Sequence, residues 1–129
     1  MAAESTDCLF AYGTLMFPEI WDSVVGRDVT VRQARLRGHR ALCVIGYDFP
    51  GLVPADPSEI VPGLLYEGLS GDEFGALDDY EASMYDRVIV EVELGGEDSP
   101  RTAFTYRVKE ARRSELSDEI WSPSRARRD

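Results

Sequence analysis

The chain has 129 residues, of which 43% are hydrophobic and 29% charged, a composition typical of one soluble globular domain. Its 14 basic and 24 acidic residues leave a net charge of −10, which argues against binding to a nucleic-acid backbone. No apolar run approaches the ~18 residues of a membrane helix, the start lacks the pattern of an export signal, and two cysteines are too few for a zinc site or a disulfide framework. We therefore expect one cytoplasmic domain over 1–129 that needs no cofactor or metal, binds no membrane, and has flexible ends at 1–6 and 122–129.

The first half of the chain is predicted to contain three strands and one short helix. In chain order they are a strand over Cys8–Tyr12, a helix over Pro18–Val25, and strands over Val29–Leu36 and Arg40–Tyr47. Proline suits a first helical turn, which is why the helix is expected to begin at Pro18. The last two strands are expected to form a hairpin that turns near Gly38. Proline and glycine predict further turns over 49–51 and 55–57.

The second half is also predicted to be mostly strand. Its elements are strands over Ile60–Leu69, Asp86–Leu94 and Thr102–Lys109, and helices from Ser70 to about Glu81 and over Ser114–Ile120. Ser70 and Glu73 have the spacing of a capping box, which marks the start of the first of these helices. Gly63 indicates a bulge or a close approach of two strands. Many strands with a few short helices predict an α+β fold built on a small, strongly curved or closed sheet.

Charge is distributed unevenly along the chain. Residues 27–40 contain five arginines and one acid, whereas residues 48–98 contain fourteen acids and a single arginine. Both runs are most simply explained as solvated surface. A binding surface for an acidic protein partner over 27–40 is an alternative.

The sequence offers few catalytic groups other than carboxylates. The single histidine, His39, lies among arginines and has no acid or nucleophile near it in the sequence. Metal ligands at the usual spacing and glycine-rich phosphate loops are both absent from the sequence. Acid–base chemistry must therefore come from carboxylates, or the protein is not an enzyme.

Glu81 stands out among the carboxylates because of its position on a helix. Phe74, Leu77 and Tyr80 form the apolar face of the predicted helix, and Glu81 falls on that same face. Burial, the C-terminal end of the helix dipole and two preceding aspartates would each raise the pKa of this carboxyl group toward the range of a general acid or base. The alternative is that Glu81 is a surface residue of the last turn, paired with Arg87.

The segment Tyr12-Gly13-Thr14-Leu15 is a second candidate site. It lies between a predicted strand and a predicted helix. Glycine permits a sharp turn that presents consecutive backbone N–H groups, and such groups bind a carboxylate or an oxyanion. An ordinary turn between two elements is the alternative interpretation.

Four segments carry motifs whose order and spacing resemble those of one known family. They are Leu9–Met16, Pro50–Pro54, Val61–Tyr66, and Leu77–Glu81 followed by Tyr85 and Arg87. They resemble the γ-glutamyl cyclotransferase-like proteins, which include γ-glutamylamine cyclotransferase and the plant avirulence-induced-gene homologues. The resemblance extends from about Leu9 to Val108.

The resemblance implies a small mixed β-barrel with short helices and a central cavity. It also implies cleavage of a small-molecule γ-glutamyl amide: the α-amine of the substrate attacks its own γ-carbonyl, which forms 5-oxoproline and releases an amine or amino acid. A non-catalytic module that binds a small acidic or amino-acid ligand in the same cavity is one alternative. Removal of a γ-glutamyl protecting group from a biosynthetic amine is another.

The resemblance also implies roles for individual residues. Glu81 matches the catalytic glutamate, which acts as the general acid/base. The substrate-binding loop, whose N–H groups hold the glutamyl group, corresponds to Tyr12, Gly13, Thr14 and Leu15. Tyr85 and Arg87 match positioning or structural residues beside the cavity. Tyr106 falls on the same face of its predicted strand as Phe104, where it lines either the cavity or the core.

Overall fold

In the computed structural model, residues 6–47 and 49–122 are described, and this part of the chain contains eight strands and two α-helices. The elements are β1 (Leu9–Ala11), α1 (Pro18–Val24), β2 (Thr30–Arg37), β3 (His39–Val44), β4 (Pro50–Pro54), β5 (Ile60–Glu67), α2 (Gly71–Glu81), β6 (Tyr85–Leu94), β7 (Arg101–Val108) and β8 (Leu116–Ile120). Short 3₁₀ turns cover Thr14–Met16, Ala82–Met84 and Glu110–Glu115. The flexible ends expected at 1–6 and 122–129 lie almost wholly outside the described residues.

Five of the strands close into a barrel in the order β1-β5-β2-β6-β7. The parallel contact between β1 and β7, with Leu9 opposite Phe104, closes the circle, while the other pairs are antiparallel. A separate three-stranded sheet has the order β4-β3-β8. The predicted fold class, an α+β fold with a small mixed barrel and short helices, is confirmed.

The barrel strands bury side chains on both of their faces. One set, which includes Phe10, Leu36, Leu65, Val92 and Ala103, fills the inside of the barrel. The alternate residues of the same strands form a second cluster outside the barrel, where the two helices cover them. Both helices are therefore held by apolar packing against the barrel, and this packing fixes where the C-terminal end of α2 lies.

Gly63 brings β5 close to β1. A Cβ atom at this position would collide with the carbonyl oxygen of Ala11 and would lie 2.7 Å from Cζ of Phe10. The sequence predicts either a bulge or a close approach of two strands at Gly63, and the structure shows the close approach.

Three predicted elements are wrong. β2 and β3 do not form a hairpin, because β2 pairs with β5 and β6 whereas β3 pairs with β4 and β8. The chain instead passes from the barrel to the small sheet at Gly38, whose φ of +76° favours glycine. The turn predicted over 49–51 is the start of β4, and the helix predicted over Ser114–Ile120 is a 3₁₀ turn followed by β8. In both cases pairing with β3 decides the conformation, and local sequence does not report that pairing.

The capping box at the start of α2 is confirmed. The backbone N–H of Ser70 donates to Glu73 Oε1 at 2.9 Å, and the N–H of Glu73 donates to Ser70 Oγ at 3.2 Å. These two bonds satisfy N–H groups that have no partner inside the helix. The helix therefore starts where the sequence predicts and ends at Glu81.

The basic run and the acidic run are mixed in space by the strand pairing. Each arginine between 27 and 40 contacts a glutamate of the acidic stretch: Arg27 with Glu73, Arg32 with Glu67 and Glu97, Arg35 and Arg37 with Glu93, and Arg40 with Glu59. The run therefore presents paired rather than isolated cations, which favours the interpretation as solvated surface. Within 6–47 and 49–122, no helix is both long enough and apolar enough to cross a membrane.

Candidate active site

A cavity of about 510 Å³ opens at one end of the barrel. It lies where β1 and β7 end, where β6 and β4 begin, and where α2 reaches its C-terminus. Of the eight residues predicted as site residues, seven line it: Tyr12, Gly13, Thr14, Leu15, Glu81, Tyr85 and Tyr106. Arg87 is not among the lining residues of the described chain.

The turn after β1 is tight and leaves backbone N–H groups available. The amides of Met16 and Phe17 donate to the carbonyls of Gly13 and Thr14, both at 3.0 Å. In the described part of the chain, the amides of Gly13, Thr14 and Leu15 donate to no carbonyl or side chain. Three consecutive free N–H groups at a cavity wall can bind a carboxylate or stabilise an oxyanion.

Gly13 is required at this turn because Pro50 lies directly against it. A Cβ atom there would lie 2.9 Å from Cγ of Pro50, closer than real Cβ contacts allow. The turn is also tied down by hydroxyl groups. Tyr66 donates its hydroxyl hydrogen to the carbonyl of Leu15 at 2.9 Å, and the hydroxyls of Thr14 and Tyr80 are 3.0 Å apart. The free amides are therefore held in a fixed position relative to α2.

Glu81, the last residue of α2, brings a carboxyl group to the cavity without a partner. It makes no hydrogen bond or salt bridge to any other residue described between 6 and 122. Burial raises the pKa of this carboxyl group to about 7. The group is therefore able to exchange a proton near neutral pH.

Arg87 pairs with Asp78 and not with Glu81. Its Nε lies 3.6 Å from Asp78 Oδ1, and its guanidinium lies 4.9 and 4.6 Å from the ring centres of Phe74 and Phe104. The alternative interpretation, in which Glu81 is a surface residue paired with Arg87, is therefore wrong. Asp78 also accepts the hydroxyl hydrogen of the cavity residue Tyr106 at 2.6 Å, so it links Arg87 to the cavity.

Five tyrosines line the cavity in the described part of the chain, and three of them, Tyr12, Tyr85 and Tyr106, each give their hydroxyl hydrogen to a fixed acceptor. Tyr12 donates to the carbonyl of Tyr106, Tyr85 to the carbonyl of Pro50, and Tyr106 to Asp78, each at 2.6 Å. Burial is the main cause that raises the pKa of all three, and the nearby charge of Glu81 raises each further. A phenol has one hydrogen to donate, so these oxygens have only lone pairs left to offer a ligand.

The sequence did not point to several residues of the cavity wall. Pro50 packs on Gly13 and accepts from Tyr85, yet proline at this position predicts only a turn. Arg112 and Glu115 also line the cavity and form an ion pair. Their only signal in the sequence is opposite charge at a spacing of three residues, which is common on surfaces.

The single histidine lies outside this cavity. His39 Nδ1 is 3.1 Å from the carbonyl oxygen of Arg37, and Nε2 is 3.4 Å from Arg107. Burial lowers the pKa of its ring, and the charge of Arg107 adds to that effect. Its surroundings do not resemble those of a catalytic base paired with a nucleophile.

Comparison with known sequences places the chain among defined relatives. The family described as "Gamma-glutamyl cyclotransferase, AIG2-like" matches residues 9–123. AIG2-like protein C of Arabidopsis thaliana is 35% identical over 86 residues, which are 67% of this chain and 49% of that protein. AIG2-like protein B of the same plant is 32% identical over 84 residues, 65% of this chain and 48% of that protein. The chain thus spans about half the length of the curated relatives that it matches.

Solved structures share the fold. A solution structure of an Arabidopsis thaliana protein superposes with a TM-score of 0.74 at 22% identity, covering 95% of this chain and 80% of that one. A structure of a γ-glutamyl cyclotransferase superposes with a TM-score of 0.68 at 17% identity, covering 81% of this chain and 68% of that one. The crystal structure of an AIG2-like protein of Mus musculus superposes with a TM-score of 0.63 at 20% identity, covering 91% of this chain and 88% of that one. The family match runs through the whole barrel and the small sheet, and on that ground the chain belongs to the AIG2-like γ-glutamyl cyclotransferase family.

Proposed function

We propose that the protein is a γ-glutamyl cyclotransferase. It cleaves a γ-glutamyl amide by attack of the substrate's α-amine on its γ-carbonyl, and it releases 5-oxoproline and an amine or amino acid. The observation that carries the proposal is the carboxyl group of Glu81, which has no hydrogen-bond partner among the described residues and shares the cavity with the hydroxyls of Tyr12, Tyr85 and Tyr106, whose hydrogens are donated elsewhere. Membership of the family supports it.

The acid–base properties of Glu81 suit this reaction. The residue must take a proton from an α-ammonium group and return one to the leaving nitrogen, and a group does both well when its pKa is close to the working pH. Burial raises the pKa of Glu81 to about 7. Since no described neighbour holds the carboxylate by a hydrogen bond, it is free to contact the substrate.

The hydroxyls of Tyr12, Tyr85 and Tyr106 suit a positively charged substrate group. Their hydrogens are committed to the carbonyls of Tyr106 and Pro50 and to Asp78, so the oxygens act only as acceptors toward a ligand. Acceptors beside a carboxylate complement an ammonium group, which has three donors and no acceptor. The substrate's α-ammonium would therefore bind next to Glu81.

The backbone amides at 13–15 suit the negative end of the substrate. They would hold the α-carboxylate of the glutamyl group, or the oxyanion that forms when the γ-carbonyl is attacked. In the reaction, Glu81 takes one proton from the α-ammonium and the freed amine attacks the γ-carbonyl carbon. The bond from that carbon to the leaving nitrogen then breaks.

The protons balance across the reaction. The α-nitrogen loses two hydrogens when the ammonium becomes the ring amide of 5-oxoproline. The leaving nitrogen gains two hydrogens when the amide becomes a free ammonium, and Glu81 carries the transfer and returns to its starting form. Because nucleophile and carbonyl belong to one molecule, the protein needs no nucleophile of its own, and holding the substrate folded supplies much of the rate.

A 5-oxoproline assay over a panel of γ-glutamyl dipeptides and γ-glutamyl amines tests the proposal. Glu81→Gln should lower release by about 10²–10⁴-fold, the usual contribution of a general acid/base. Asp79→Asn is the matched control, because it removes a charge from the same helix at an exposed residue that does not line the cavity. Release that is unaffected by Glu81→Gln would refute the role of Glu81. A protein that binds these compounds and releases nothing would instead be the binding module.

A further inference from the structure

Arg112 is the only cationic side chain among the cavity-lining residues in the described part of the chain. It lies on the 3₁₀ turn Glu110–Glu115, which follows β7. The proposed reaction uses Glu81 and the backbone amides of residues 13–15, and it assigns no role to the guanidinium of Arg112. A guanidinium in the same cavity as the reacting carboxylate can bind a negatively charged group of a ligand through the N–H groups that its ion pair with Glu115 leaves unused.

The turn that carries Arg112 is fixed to the cavity wall at both ends. The N–H of Lys109 donates to the carbonyl of Met84 at 3.0 Å, and Met84 itself lines the cavity. The N–H of Ile45 donates to the carbonyl of Glu115 at 2.9 Å. Within the turn, the N–H of Arg112 donates to the carbonyl of Lys109 at 2.8 Å. The backbone of Arg112 therefore has a defined position relative to Glu81, which lies three residues before Met84.

Glu115 orients the guanidinium of Arg112 but accepts hydrogen bonds from only two of its N–H groups. Its carboxylate accepts one hydrogen bond from Nε of Arg112 and one from Nη2, the latter at 3.0 Å. A guanidinium has five N–H donors, so three remain, two of them on Nη1. The side chain is 37% exposed, so a ligand can reach it. The remaining edge of an oriented guanidinium matches a carboxylate in shape and charge.

We infer that Arg112 recognises a carboxylate on the leaving group, so that this protein prefers γ-glutamyl amino acids and peptides to γ-glutamyl derivatives of simple alkylamines. The inference rests on the proposed function, in which the amides at 13–15 and Glu81 bind the glutamyl end. Arg112 then serves the other end of the scissile amide. It is a residue for substrate selection and does not take part in bond making.

A matched pair of substrates tests this selection. γ-Glutamyl-L-alanine and γ-glutamylethylamide differ only in the carboxylate of the leaving group. The wild-type protein should favour the alanine compound in kcat/KM by about tenfold or more, the effect of one charge-assisted hydrogen-bonded pair. Arg112→Gln should abolish this ratio by slowing the alanine compound alone, and Arg112→Lys should keep part of it because a cation remains. Lys109→Gln, which removes a positive charge from outside the cavity lining, should leave the ratio unchanged.

Two results would overturn the inference while leaving the reaction in place. One is a wild-type protein that shows no preference between the two compounds. The other is an equal loss for both compounds in Arg112→Gln, which would mean that the guanidinium binds the glutamyl end.

Calorimetric titration of both compounds into the wild-type, Glu81→Gln and Arg112→Gln proteins separates this inference from the proposed function. Tighter binding of the alanine compound that depends on Arg112, without any 5-oxoproline release, would refute the reaction and support the carboxylate site. Failure to bind either compound would refute both.

Discussion

Tyr106 on β7 donates its hydroxyl hydrogen to Asp78 on α2 at 2.6 Å, so a helix residue outside the cavity lining sets the hydrogen-bonding role of a residue inside it. Asp78 is itself paired with Arg87, and the carbonyl of Tyr106 accepts the hydroxyl hydrogen of Tyr12. These contacts form a chain from the surface of α2 to two cavity tyrosines. They connect Arg87, which does not line the cavity, to two tyrosines that do.

We expect Asp78→Ala to lower kcat about tenfold, the value of one hydrogen bond lost at a site. Without Asp78, the hydroxyl hydrogen of Tyr106 is free to bond to Glu81, which would lower the pKa of Glu81 and compete with the substrate's ammonium. The rising limb of the pH–rate profile should therefore move to lower pH. In a Tyr106→Phe background Asp78→Ala should have little further effect, and a double-mutant cycle measures this coupling. If Asp78→Ala still lowered kcat about tenfold in the Tyr106→Phe background, Asp78 would act on catalysis by a route other than Tyr106.

We expect Glu81→Gln to stabilise the protein at pH 8 while it removes activity. The pKa of Glu81 is about 7 in the fold against an ordinary value of 4.5, so between these values the folded chain binds more protons than the unfolded one. The free energy of unfolding therefore falls as pH rises through this window, by up to roughly 3 kcal/mol. The free energy of unfolding of the variant should not fall in this way, because glutamine does not titrate. At pH 4 it should equal that of the wild type. Urea unfolding at pH 4 and pH 8 measures the difference, and equal stabilities at pH 8 would contradict it.

The ion pair and the capping box at the start of α2 can be separated by two substitutions of Glu73. Hydrogen bonds from Arg27 and from the N–H of Ser70 hold the pKa of Glu73 at about 2. Because this pKa lies below 4.5, its stabilising effect is present at neutral pH and disappears as pH falls from about 4.5 toward 2. Glu73→Ala removes both interactions and should cost about 1–2 kcal/mol at pH 7. Glu73→Gln keeps a capping side chain and should cost less.

Thermal unfolding at pH 7 and at pH 3 measures both variants. The deficit of Glu73→Gln relative to the wild type should shrink at pH 3. If the two variants were equally destabilised at neutral pH, the capping bonds would contribute nothing.

We expect Gly63→Ala to destabilise the protein by about 1–3 kcal/mol or more, as overpacking does. The added methyl group meets the carbonyl oxygen of Ala11, and backbone cannot move aside as a side chain can. Gly75→Ala is the matched control, because it adds the same methyl group on the exposed side of α2 with no heavy atom within 4 Å. It should stabilise the helix by about 0.5–1 kcal/mol. Chemical denaturation compares the two, and similar effects of both substitutions would refute the close-packing role of Gly63.

Elements that depend on neighbours along the chain were predictable. The capping box at Ser70 and Glu73, the helix that ends at Glu81 and the alternating strand β6 follow from spacings of two to four residues. The position of Glu81 on the apolar face of α2 follows from the same spacing. These features need no knowledge of what packs against them.

Elements that depend on distant partners were not predictable. β4 and β8 are strands because both pair with β3, and β3 leaves β2 for a different sheet at Gly38. The partner of Arg87 is Asp78, and the arginine of the cavity is Arg112, on a turn whose ends are tied to Met84 and Ile45. No local pattern distinguishes these contacts from the many that the same residues would allow.

The amino-acid sequence by itself therefore determined the secondary elements with local periodicity, the turn after β1 and the carboxylate at the end of α2. Only the tertiary structure decided that this carboxyl group lies half-buried in the cavity without a hydrogen-bond partner among the described residues, that the hydrogens of three tyrosine hydroxyls point to other acceptors, and that a guanidinium shares the cavity. The physical reason is that burial and hydrogen-bond partnership depend on segments far apart in the chain, and closure of the barrel is what brings those segments together.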